Sequence, residues 1–318
     1  MKILITGSAG FIGFNLAKKL LESRKIKVIG IDNINDYYDI NLKKKRNNLL
    51  KKKINYTFIK TDIRDNKKLD KIFKKEKFDF VFNLAAQAGV RYSIDHPREY
   101  IENNILGFYN IIENVKKYKI KRLFYASSSS VYGENTNFPL NENQKIHPKN
   151  IYALSKKINE EISSIFNKYY QVKMTGLRFF TVYGDWGRPD MMMVKFIESY
   201  YKKKSFKLFN FGKHVRDFTY VEDVVDILYL LLKAHKKLPN NDIFNICSND
   251  PINLEKIIEF MNKNGINPKV KKVTLQKADI LKTHGNNKKI LKYVRFTKFT
   301  NWKEALKKTI TWYQKNMI

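Results

Sequence analysis

Short apolar runs alternate with amphipathic stretches over the first half of the chain. Runs rich in Ile, Val, Phe and Leu predict strands that are buried on both faces, because such strands lack a polar face. These runs cover residues 2–6, 27–32, 56–60, 78–84 and 122–127. Apolar residues at helical spacing occupy residues 11–23, 67–75 and 99–118. The alternation predicts an α/β fold built on a doubly wound parallel sheet.

The second half of the chain is less regular. It predicts strands over residues 173–179 and 242–246, and helices over residues 152–170, 192–203, from 221 onward and 302–315. We expect a first domain over residues 1–178 and a smaller α/β domain over residues 179–318, partly interleaved with the first. Residues 37–53 interrupt the alternation and suggest a basic, partly helical surface insertion.

The net charge of the chain is strongly positive. Its 318 residues include 62 Lys+Arg against 30 Asp+Glu, a net charge of +32. Such a charge suggests a nucleic-acid-binding protein. The basic residues are mostly lysines, however, and are spread over nearly every predicted helix, whereas a nucleic-acid surface concentrates them and relies on arginine. We therefore expect no nucleic-acid partner, but a general attraction for anionic substrates.

Hydropathy and cysteine content bear on the compartment. The sequence has no apolar run of about 18 residues, so we expect no membrane span. The chain starts directly with a predicted strand, and we expect a cytoplasmic protein. Its one cysteine, Cys247, excludes an internal disulfide and a zinc site built on cysteines, and no metal is predicted.

A glycine-rich turn joins the first strand to the first helix. Gly7, Gly10 and Gly13 have the spacing GxxGxxG, with Phe11 and Ile12 between the last two. Glycine permits a tight turn and lets a pyrophosphate approach the backbone, while the helix start offers free N–H groups and partial positive charge. The turn therefore predicts a Rossmann-type dinucleotide site in the first domain.

Two carboxylates follow the next two strands. Asp32 ends the second strand, where a carboxylate accepts hydrogen bonds from the adenosine ribose and repels a 2′-phosphate. NAD is therefore favoured over NADP. Asp62 follows the third strand, where it could receive the adenine amino group. Either residue could instead form a turn or cap a helix.

A tyrosine, a lysine and a serine cluster form a candidate catalytic group. Tyr152 and Lys156 are four residues apart on a predicted helix, so that both side chains share one face. An ammonium group beside a phenol stabilises the phenolate and lowers its pKa, which suits a general base. The four serines at 127–130 follow the fifth strand, at the edge where such sheets bind ligands. A surface Tyr–Lys pair is the simpler interpretation of YxxxK alone, but the serines favour a catalytic site.

With these residues the chain resembles the extended short-chain dehydrogenase/reductase family, and most closely the bacterial UDP-glucuronate 4-epimerases. The similar segments reach to about residue 226 and read ITGSAGFIG, GIDNINDYYD, NLAAQAGVRYS, YASSSSVYGENT, YALSKK, GLRFFTVYGDWGRPDM and RDFTYVEDV. The glycine-rich turn and YxxxK are typical of the whole superfamily. LAAQAGVRYS and LRFFTVYGDWGRPDM are the segments that indicate the uronate epimerases.

The resemblance implies a catalytic role for each member of the group. Tyr152 takes the proton from the sugar O4–H, and Lys156 keeps Tyr152 ionised and holds the nicotinamide ribose. Ser128 is the best match to the family's serine, with Ser127 and Ser129 as alternatives. Hydride passes from C4 to NAD, the 4-keto sugar rotates, and hydride returns to the opposite face. The predicted NAD site also includes Asn33, Ile63, Leu84, Ala85 and Ala86.

Departures from related families bear on the sugar. Sugar 4,6-dehydratases carry Asp-Glu, and UDP-glucuronate decarboxylases carry Glu, where this chain has Ser129 and Ser130. The acid needed for elimination is missing, and serine hydroxyls can instead donate to a carboxylate. The resemblance places Thr181 in the same pocket, where UDP-galactose epimerases have Asn. It implies conversion of UDP-glucuronate to UDP-galacturonate, with the carboxylate held so that the intermediate keeps its CO2.

Three arginines complete the predicted substrate site. The resemblance carries over Arg91, Arg188 and Arg216, and the last two are suited to the diphosphate or uridine because guanidinium matches phosphate in a bidentate way. Each could also form an ordinary surface salt bridge. The C-terminal segment departs from the family pattern, which puts its substrate contacts in doubt. It reads Ala278-Asp279-Ile280 and then Thr283-His284-Gly285-Asn286.

The resemblance also implies a homodimer formed through the helices over residues 99–118 and 152–170. Apolar residues recur there at helical spacing: Ile105, Phe108, Ile112, Ile158, Ile162 and Ile165. Two alternative functions stay open at this point. One is 4-epimerisation of UDP-glucose or UDP-N-acetylglucosamine. The other is a non-catalytic dinucleotide-binding regulator, although a regulator would not need Tyr152 and Lys156.

Overall fold

The computed structural model describes residues 1–275 and 280–316. The strands in chain order are β1 (Lys2–Thr6), β2 (Lys27–Asp32), β3 (Tyr56–Lys60), β4 (Phe80–Asn83), β5 (Arg122–Ser128), β6 (Met174–Phe179), β7 (Thr181–Tyr183), β8 (Phe206–Phe209), β9 (Val215–Tyr220), β10 (Asn241–Ile246), β11 (Pro251–Asn253) and β12 (Val270–Val273). The helices are α1 (Phe11–Leu20), α2 (Ile40–Lys51), α3 (Asn66–Glu76), α4 (Tyr92–Asp95), α5 (Pro97–Tyr100), α6 (Gly107–Lys117), α7 (Ile151–Tyr170), α8 (Met192–Tyr201), α9 (Val221–Lys233), α10 (Leu254–Lys263), α11 (Lys288–Leu291) and α12 (Trp302–Asn316). The segment Ile101–Leu106 is a π-helix, and 3₁₀ turns cover Ser129–Tyr132 and Asn210–Gly212.

Seven strands form one parallel sheet in the order β10-β6-β5-β4-β1-β2-β3. The chain adds β2 and β3 on one side of β1, and then β4, β5, β6 and β10 on the other. Because every strand of this sheet is parallel, all of their carboxyl ends lie at one edge. The doubly wound α/β fold predicted from the sequence is confirmed.

Successive side chains of the central strands pack on opposite faces of this sheet. Ile3 and Ile5 of β1 belong to one buried cluster, together with Phe14 of α1. Leu4 belongs to the other, together with Phe108 of α6. The strands are therefore buried on both faces, which is why their sequences are continuous apolar runs without polar alternation.

The C-terminal part of the chain contributes to more than one sheet. Strand β10 lies at the edge of the large sheet beside β6, whereas β7, β9 and β11 form a three-stranded sheet and β8 pairs with β12. The strands of these two smaller sheets contain only three to six residues, and the sequence pattern did not predict them. The division at residues 178 and 179 stays a prediction.

The segment over residues 37–53 is partly helical, as its sequence suggested, but one face of α2 packs inward. Lys43 and Arg46 of α2 are buried, and Arg46 is 0% exposed. The Arg46 guanidinium donates to the carbonyl oxygens of Ala9 at 2.9 Å, Trp186 at 2.6 Å and Gly187 at 3.2 Å. The guanidinium is directed into the protein because it donates to backbone carbonyls of two loops. These hydrogen bonds connect α2 to the turn after β1 and to the loop after β7.

The single helix expected over residues 99–118 is interrupted. The structure has α5, the π-helical segment Ile101–Leu106 and then α6 in succession. Within the π segment, the side chain of Asn104 donates to the carbonyl oxygen of Gln87 and to the hydroxyl of Ser155 in α7, both at 3.0 Å. The π segment therefore presents Asn104 to α7 and connects the two helices. Such segments are frequent at functional sites.

Candidate functional site

The turn after β1 requires glycine at two positions. Gly7 has φ of +70°, and a Cβ there would lie 2.8 Å from the backbone nitrogen of Ala85. A Cβ at Gly13 would lie 2.1 Å from the carbonyl oxygen of Gly7. The turn leads to Gly10, which has no side chain to cap α1, so the first N–H groups of the helix are available to an anion.

A cavity of about 380 Å³ lies along the carboxyl edge of the large sheet. Its lining includes nearly all of the predicted cofactor residues: Gly7, Gly10, Phe11, Ile12, Gly13, Asp32, Asn33, Ile63, Leu84, Ala85, Ala86, Tyr152 and Lys156. Asp62 is absent from this lining within the described residues. Its carboxylate instead accepts from the Asn33 amide at 2.9 Å and pairs with Arg64 at 2.9 Å. Asp62 therefore orients Asn33, which does line the cavity.

The carboxylate of Asp32 lies at the end of β2 beside the glycine turn. It accepts from the backbone N–H of Ala9 at 3.1 Å and from that of Ile34 at 2.8 Å. Burial raises the pKa of Asp32, and these two N–H groups together with the charges of Lys43 and Arg46 act in the opposite direction. The turn and the carboxylate thus form one hydrogen-bonded unit at the adenosine side of the cavity.

Lys43 is a site residue that the sequence analysis missed. It lines the first cavity, and its Nζ donates to the backbone carbonyl of Asn35 at 2.7 Å. Burial lowers the pKa of Lys43, while the charge of Asp32 raises it. The only signal in the sequence was its place in a basic stretch, which indicated a surface instead.

Helix α7 carries the Tyr–Lys pair at its start. The side chain of Asn150 caps this helix by accepting from a first-turn backbone N–H at 2.9 Å, so Tyr152 lies where the helix dipole favours negative charge. The Nζ of Lys156 is 5.9 Å from the centre of the Tyr152 ring and donates to the carbonyl oxygen of Ala126 at 2.9 Å. Burial lowers the pKa of Lys156 to about 8. The pair therefore offers an ammonium group close to a phenol at the cavity wall.

A buried ion pair lies next to this group. Arg178 of β6 donates to both carboxylate oxygens of Glu160, at 2.9 Å and 2.8 Å, and the Ser127 hydroxyl donates to the same carboxylate at 2.6 Å. Both charged side chains are only 4% exposed, so each depends on the other for its counter-charge. Glu160 also raises the pKa of Lys156, against the effect of burial. Since the Ser127 hydroxyl is engaged with Glu160, this geometry favours Ser128 as the serine of the group.

A second cavity, of about 680 Å³, adjoins the first. Ser129, Ser130 and Thr181 line both cavities. The Ser128 hydroxyl donates to the Ser130 hydroxyl at 3.1 Å and accepts from its backbone N–H at 3.2 Å. The hydroxyls come from two elements, the 3₁₀ turn after β5 and the start of β7. They can donate to an acidic group without placing a fixed charge beside it.

Two of the predicted arginines, Arg188 and Arg91, contact side chains at the cavities. Arg188 lines both cavities and forms a bidentate pair with Asp190, at 2.9 Å and 2.7 Å. Arg91 lines the second cavity, with its guanidinium 4.2 Å from the centre of the Phe209 ring. Both guanidinium groups thus lie where a ligand that spans the two cavities would pass them.

The divergent C-terminal segment also contributes to the second cavity. Ile280 and Thr283 line it together with Arg216. The Arg216 guanidinium donates to the backbone carbonyl of Ile280. The departure from the family pattern therefore leaves this segment at the cavity. Two residues of the divergent motif, Ala278 and Asp279, lie outside the described residues.

The described residues offer neither a metal-binding cluster nor a membrane-spanning helix. No group of three or more His, Cys, Asp or Glu side chains within residues 1–275 and 280–316 is arranged to hold a metal ion. In the same ranges, none of the helices combines the length and the apolar character that crossing a membrane requires. Cys247 is buried and free.

Comparisons with known proteins agree with this geometry. Residues 3–247 match the model of the NAD dependent epimerase/dehydratase family. The UDP-glucuronate 4-epimerase of Thermodesulfobacterium geofontis is 36% identical over 99% of this chain and 96% of its own. The crystal structure of UDP-glucuronic acid 4-epimerase from Bacillus cereus, in complex with UDP-glucuronic acid and NAD, superimposes with a TM-score of 0.93 at 28% identity, over 99% of both chains. The UDP-glucose 4-epimerase of Thermotoga maritima, solved with UDP-glucose, gives a TM-score of 0.89 at 29% identity over all of both chains.

Replacing Asp32 by alanine should weaken the preference for NAD over NADP. Removal of this carboxylate leaves the positive charges of Lys43 and Arg46 uncompensated, and these favour a 2′-phosphate. We expect the wild type to bind NAD at least about tenfold more tightly than NADP, and the ratio to approach one in the variant. Fluorescence titration with each cofactor measures both affinities.

The matched control is Glu22→Ala, which removes an exposed carboxylate in the turn after α1. It should keep the ratio of the wild type. Equal affinity of the wild type for the two cofactors would contradict the role given to Asp32.

Proposed function

The chain belongs to the NAD dependent epimerase/dehydratase family, and from this premise we propose that it inverts C4 of a UDP-sugar, converting UDP-glucuronate to UDP-galacturonate. The observation that carries the choice of sugar is the set of hydroxyls of Ser129, Ser130 and Thr181, which lines both cavities. The Tyr152–Lys156 pair lines the first of these cavities as well. The similarity to named UDP-glucuronate 4-epimerases supports the same choice.

The first cavity suits NAD as the bound cofactor. At Gly7 and Gly13 a Cβ would collide with neighbouring backbone, so the tight turn depends on glycine at both positions. Because these residues have no side chain, a pyrophosphate can approach the backbone at the start of α1. Asp32 offers a carboxylate to the ribose hydroxyls at the adenosine side. When bound here, NAD supplies reversible acceptance of a hydride from C4 of the sugar.

Tyr152 acts as the base that removes the proton from O4 of the sugar. Its position in the first turn of α7 and the nearby ammonium group of Lys156 both favour negative charge on the phenol oxygen. Ser128 orients the O4 hydroxyl by hydrogen bonding. Tyr152 then returns the proton to O4 once the sugar has presented its other face, so that the configuration at C4 is inverted.

The second cavity holds the UDP moiety and leaves room for the sugar to rotate. We assign Arg91, Arg188 and Arg216 to the diphosphate and the uridine, because guanidinium groups pair with phosphate oxygens in a bidentate way. All three line this cavity. Fixing the nucleotide while the sugar turns about its bonds to the diphosphate allows both faces of C4 to reach the same hydride acceptor.

The uronate carboxylate needs donors because burying it unpaired costs several kcal/mol. Ser129, Ser130 and Thr181 supply three hydroxyls from two different elements of the fold. They also hold the carboxylate in one plane relative to the 4-keto group. This matters because a β-keto acid loses CO2 when its carboxylate turns out of the carbonyl plane.

A neutral sugar is the second candidate substrate. The UDP-glucose 4-epimerase of Thermotoga maritima has nearly the same backbone fold, at a TM-score of 0.89. Serine and threonine hydroxyls can also bind a hydroxymethyl group, although a carboxylate uses more of their donor capacity. A purely regulatory role is less consistent with the retained Tyr152, Lys156 and Ser128. We also propose that the protein acts in the cytoplasm, on soluble nucleotide sugars and without a nucleic-acid partner.

We further propose a homodimer formed through α6 and α7. Phe108 and Ile112, which the sequence analysis placed among the interface candidates, lie in the core of the subunit instead. The exposed apolar residues of this helix pair and the π segment before it include Ile101, Leu106, Tyr109, Leu154 and Ile165. Their exposure is 46%, 49%, 40%, 39% and 53%, respectively. Covering such a patch with a second copy removes apolar surface from water, which favours association.

Substitution of Tyr152 by phenylalanine should keep the fold and abolish most of the activity. The ring remains while the base is lost, so we expect turnover of UDP-glucuronate to fall about 10²-fold or more. Chromatographic separation of UDP-glucuronate from UDP-galacturonate measures the turnover. The control Tyr170→Phe changes an exposed tyrosine on the same helix and should retain full activity. Near-normal turnover in Tyr152→Phe would refute the role of this residue as the base.

Substitution of Thr181 by valine tests the choice of sugar. Valine keeps the shape and deletes one donor to the carboxylate, so turnover of UDP-glucuronate should fall about ten- to hundredfold. With NAD supplied in excess, a 4-keto pentose should accumulate as CO2 is lost from the less firmly held intermediate, and one NADH should remain for each pentose released. UDP-glucose serves as the control substrate, and any activity on it should change much less. Equal effects on both sugars, or a wild type that works only on neutral sugars, would favour the neutral-sugar epimerase.

Substitution of Ile165 by arginine should convert a dimer into a monomer. The side chain is 53% exposed on α7, and a charge there would have to be buried in the proposed interface. Light scattering at micromolar concentration should give a dimer for the wild type and a monomer for the variant. Leu49→Arg, which changes an exposed residue of α2, should remain dimeric. A monomeric wild type would count against the interface.

A further inference from the structure

A third cavity, of about 550 Å³, lies at the edge of the large sheet opposite to the cofactor cavity. Its walls come from the ends of α6 and α7 and from the turns that precede β5, β6 and β10. Arg122 lines it as the first residue of β5, whereas Ser128 is the last residue of that strand. At about 3.3 Å per residue the two ends are about 20 Å apart. We call this third cavity the basic cavity, and it is separate from the proposed active site.

Lysines from several turns converge on the basic cavity. They are Lys116, Lys119, Lys121, Lys173 and Lys236. Among the described residues the lining contains neither Asp nor Glu. Lys121 pairs with Asp79 outside the lining at 2.5 Å, and the Nζ of Lys116 lies 3.8 Å from the centre of the Tyr170 ring. The other three lysines form no ion pair with any residue that the structure describes.

A buried guanidinium lines the same cavity. Arg122 is 2% exposed and donates to the carbonyl oxygens of Met174 at 3.2 Å, Leu238 at 3.2 Å and Pro239 at 2.8 Å. Within the described chain its Nε has no hydrogen-bond partner, and no carboxylate pairs with it. Burial lowers the pKa of Arg122 to about 10. Buried cations are normally paired, because an uncompensated buried charge is costly.

Helix dipoles compensate only part of this charge. Helices α6, α7 and α9 end at the basic cavity, and each C-terminus carries about half a negative charge. The sum of about 1.5 negative charges faces five lysines and Arg122. In agreement with a positive potential, burial and then the charges of Arg122 and Lys236 lower the pKa of His235, which lines the cavity.

We propose that the basic cavity binds a small anion that carries a di- or triphosphate group. Such a group brings several negative charges and many oxygen acceptors, which match ammonium donors that approach from separate turns. It would supply the counter-charge that Arg122, Lys119, Lys173 and Lys236 lack. The volume lies within the range of about 300–1,000 Å³ that is usual for small-molecule sites, and the concave shape favours a compact polyphosphate over an extended nucleic-acid strand. This inference does not depend on the proposed epimerase activity.

Calorimetric titration of the NAD-bound protein with sodium pyrophosphate tests the proposal. UDP is left out because it carries a diphosphate itself, and the titration is repeated in an Arg91→Gln/Arg216→Gln background, in which pyrophosphate binding in the second cavity is weakened. We expect the variant Lys119→Gln/Lys173→Gln/Lys236→Gln to bind pyrophosphate at least about tenfold more weakly than the wild type. Pyrophosphate should also raise the Tm of the wild type but not that of this variant, because a ligand stabilises only the state that binds it.

The matched control removes the same number of charges from the exposed face of α3, as Lys67→Gln/Lys71→Gln/Lys74→Gln. It should bind pyrophosphate like the wild type. The phosphate group could belong to a free polyphosphate or to a nucleotide, and a titration with ATP in place of pyrophosphate distinguishes the two. Equal affinities mean that the cavity recognises the phosphate chain alone. Tighter binding of ATP means that it recognises a nucleoside as well. Equal binding of pyrophosphate by the wild type and the cavity variant would overturn the proposal. So would equally tight binding of sulfate at matched ionic strength, or binding of a single-stranded oligonucleotide that pyrophosphate does not displace.

Discussion

The reversal of strand order between β1 and β4 determines where every functional group of this protein lies. Because all seven strands of the large sheet are parallel, the glycine turn after β1, Asp32 at the end of β2 and the serines at the end of β5 meet at one edge. After β1 the chain adds β2 and β3 on one side and then returns to add β4 on the other side. A crevice opens between the loops that follow β1 and β4, because these loops lead to opposite sides. The two smaller sheets, one of β7, β9 and β11 and the other of β8 and β12, contribute to the wall of the second cavity, which adjoins the first.

Buried charges hold the two sides of the crevice together. Arg46 reaches from α2 to the turn after β1 and to the loop after β7, so one guanidinium fixes both walls of the cofactor cavity. Arg178 and Glu160 do the same between β6 and the helix of the Tyr–Lys pair. Each of these groups is costly to bury alone, and the hydrogen bonds named here form only in the assembled fold. The cavity geometry is therefore coupled to native packing, and Lys156 lies buried close to the Arg178–Glu160 pair.

The sequence predicted the features that depend on local pattern. Strands β1, β2 and β3 have the bounds expected from their apolar runs, because a run of apolar residues is a local feature of the sequence. Arg46 could not be placed in this way, since its acceptor Trp186 lies 140 residues away in the chain and a basic helix otherwise indicates a surface. The π segment at Ile101–Leu106 was missed for a similar reason, as its hydrogen bonds to α7 are tertiary. The site residues at the carboxyl edge could be proposed from the sequence because parallel strands bring their ends together, whereas Lys43 depends on a helix that packs inward.

The chemistry proposed here carries a risk that the same residues create. Once Tyr152 has taken the O4 proton it becomes an acid beside a 4-keto group, and Lys156 places positive charge near by. An acid and a cation at a β-keto acid both favour the enol that forms as CO2 leaves. A second cation beside the carboxylate would bind it firmly but would add positive charge to the site. The hydroxyls of Ser129, Ser130 and Thr181 can bind the carboxylate from two elements of the fold without adding charge. Loss of CO2 is then prevented by the orientation of the carboxylate, and the acid–base catalysis at O4 does not have to be weakened. In the proposed mechanism, the positions that the 3₁₀ turn after β5 gives to Ser129 and Ser130, and not only the identity of the base, therefore decide whether the sugar is epimerised or loses CO2.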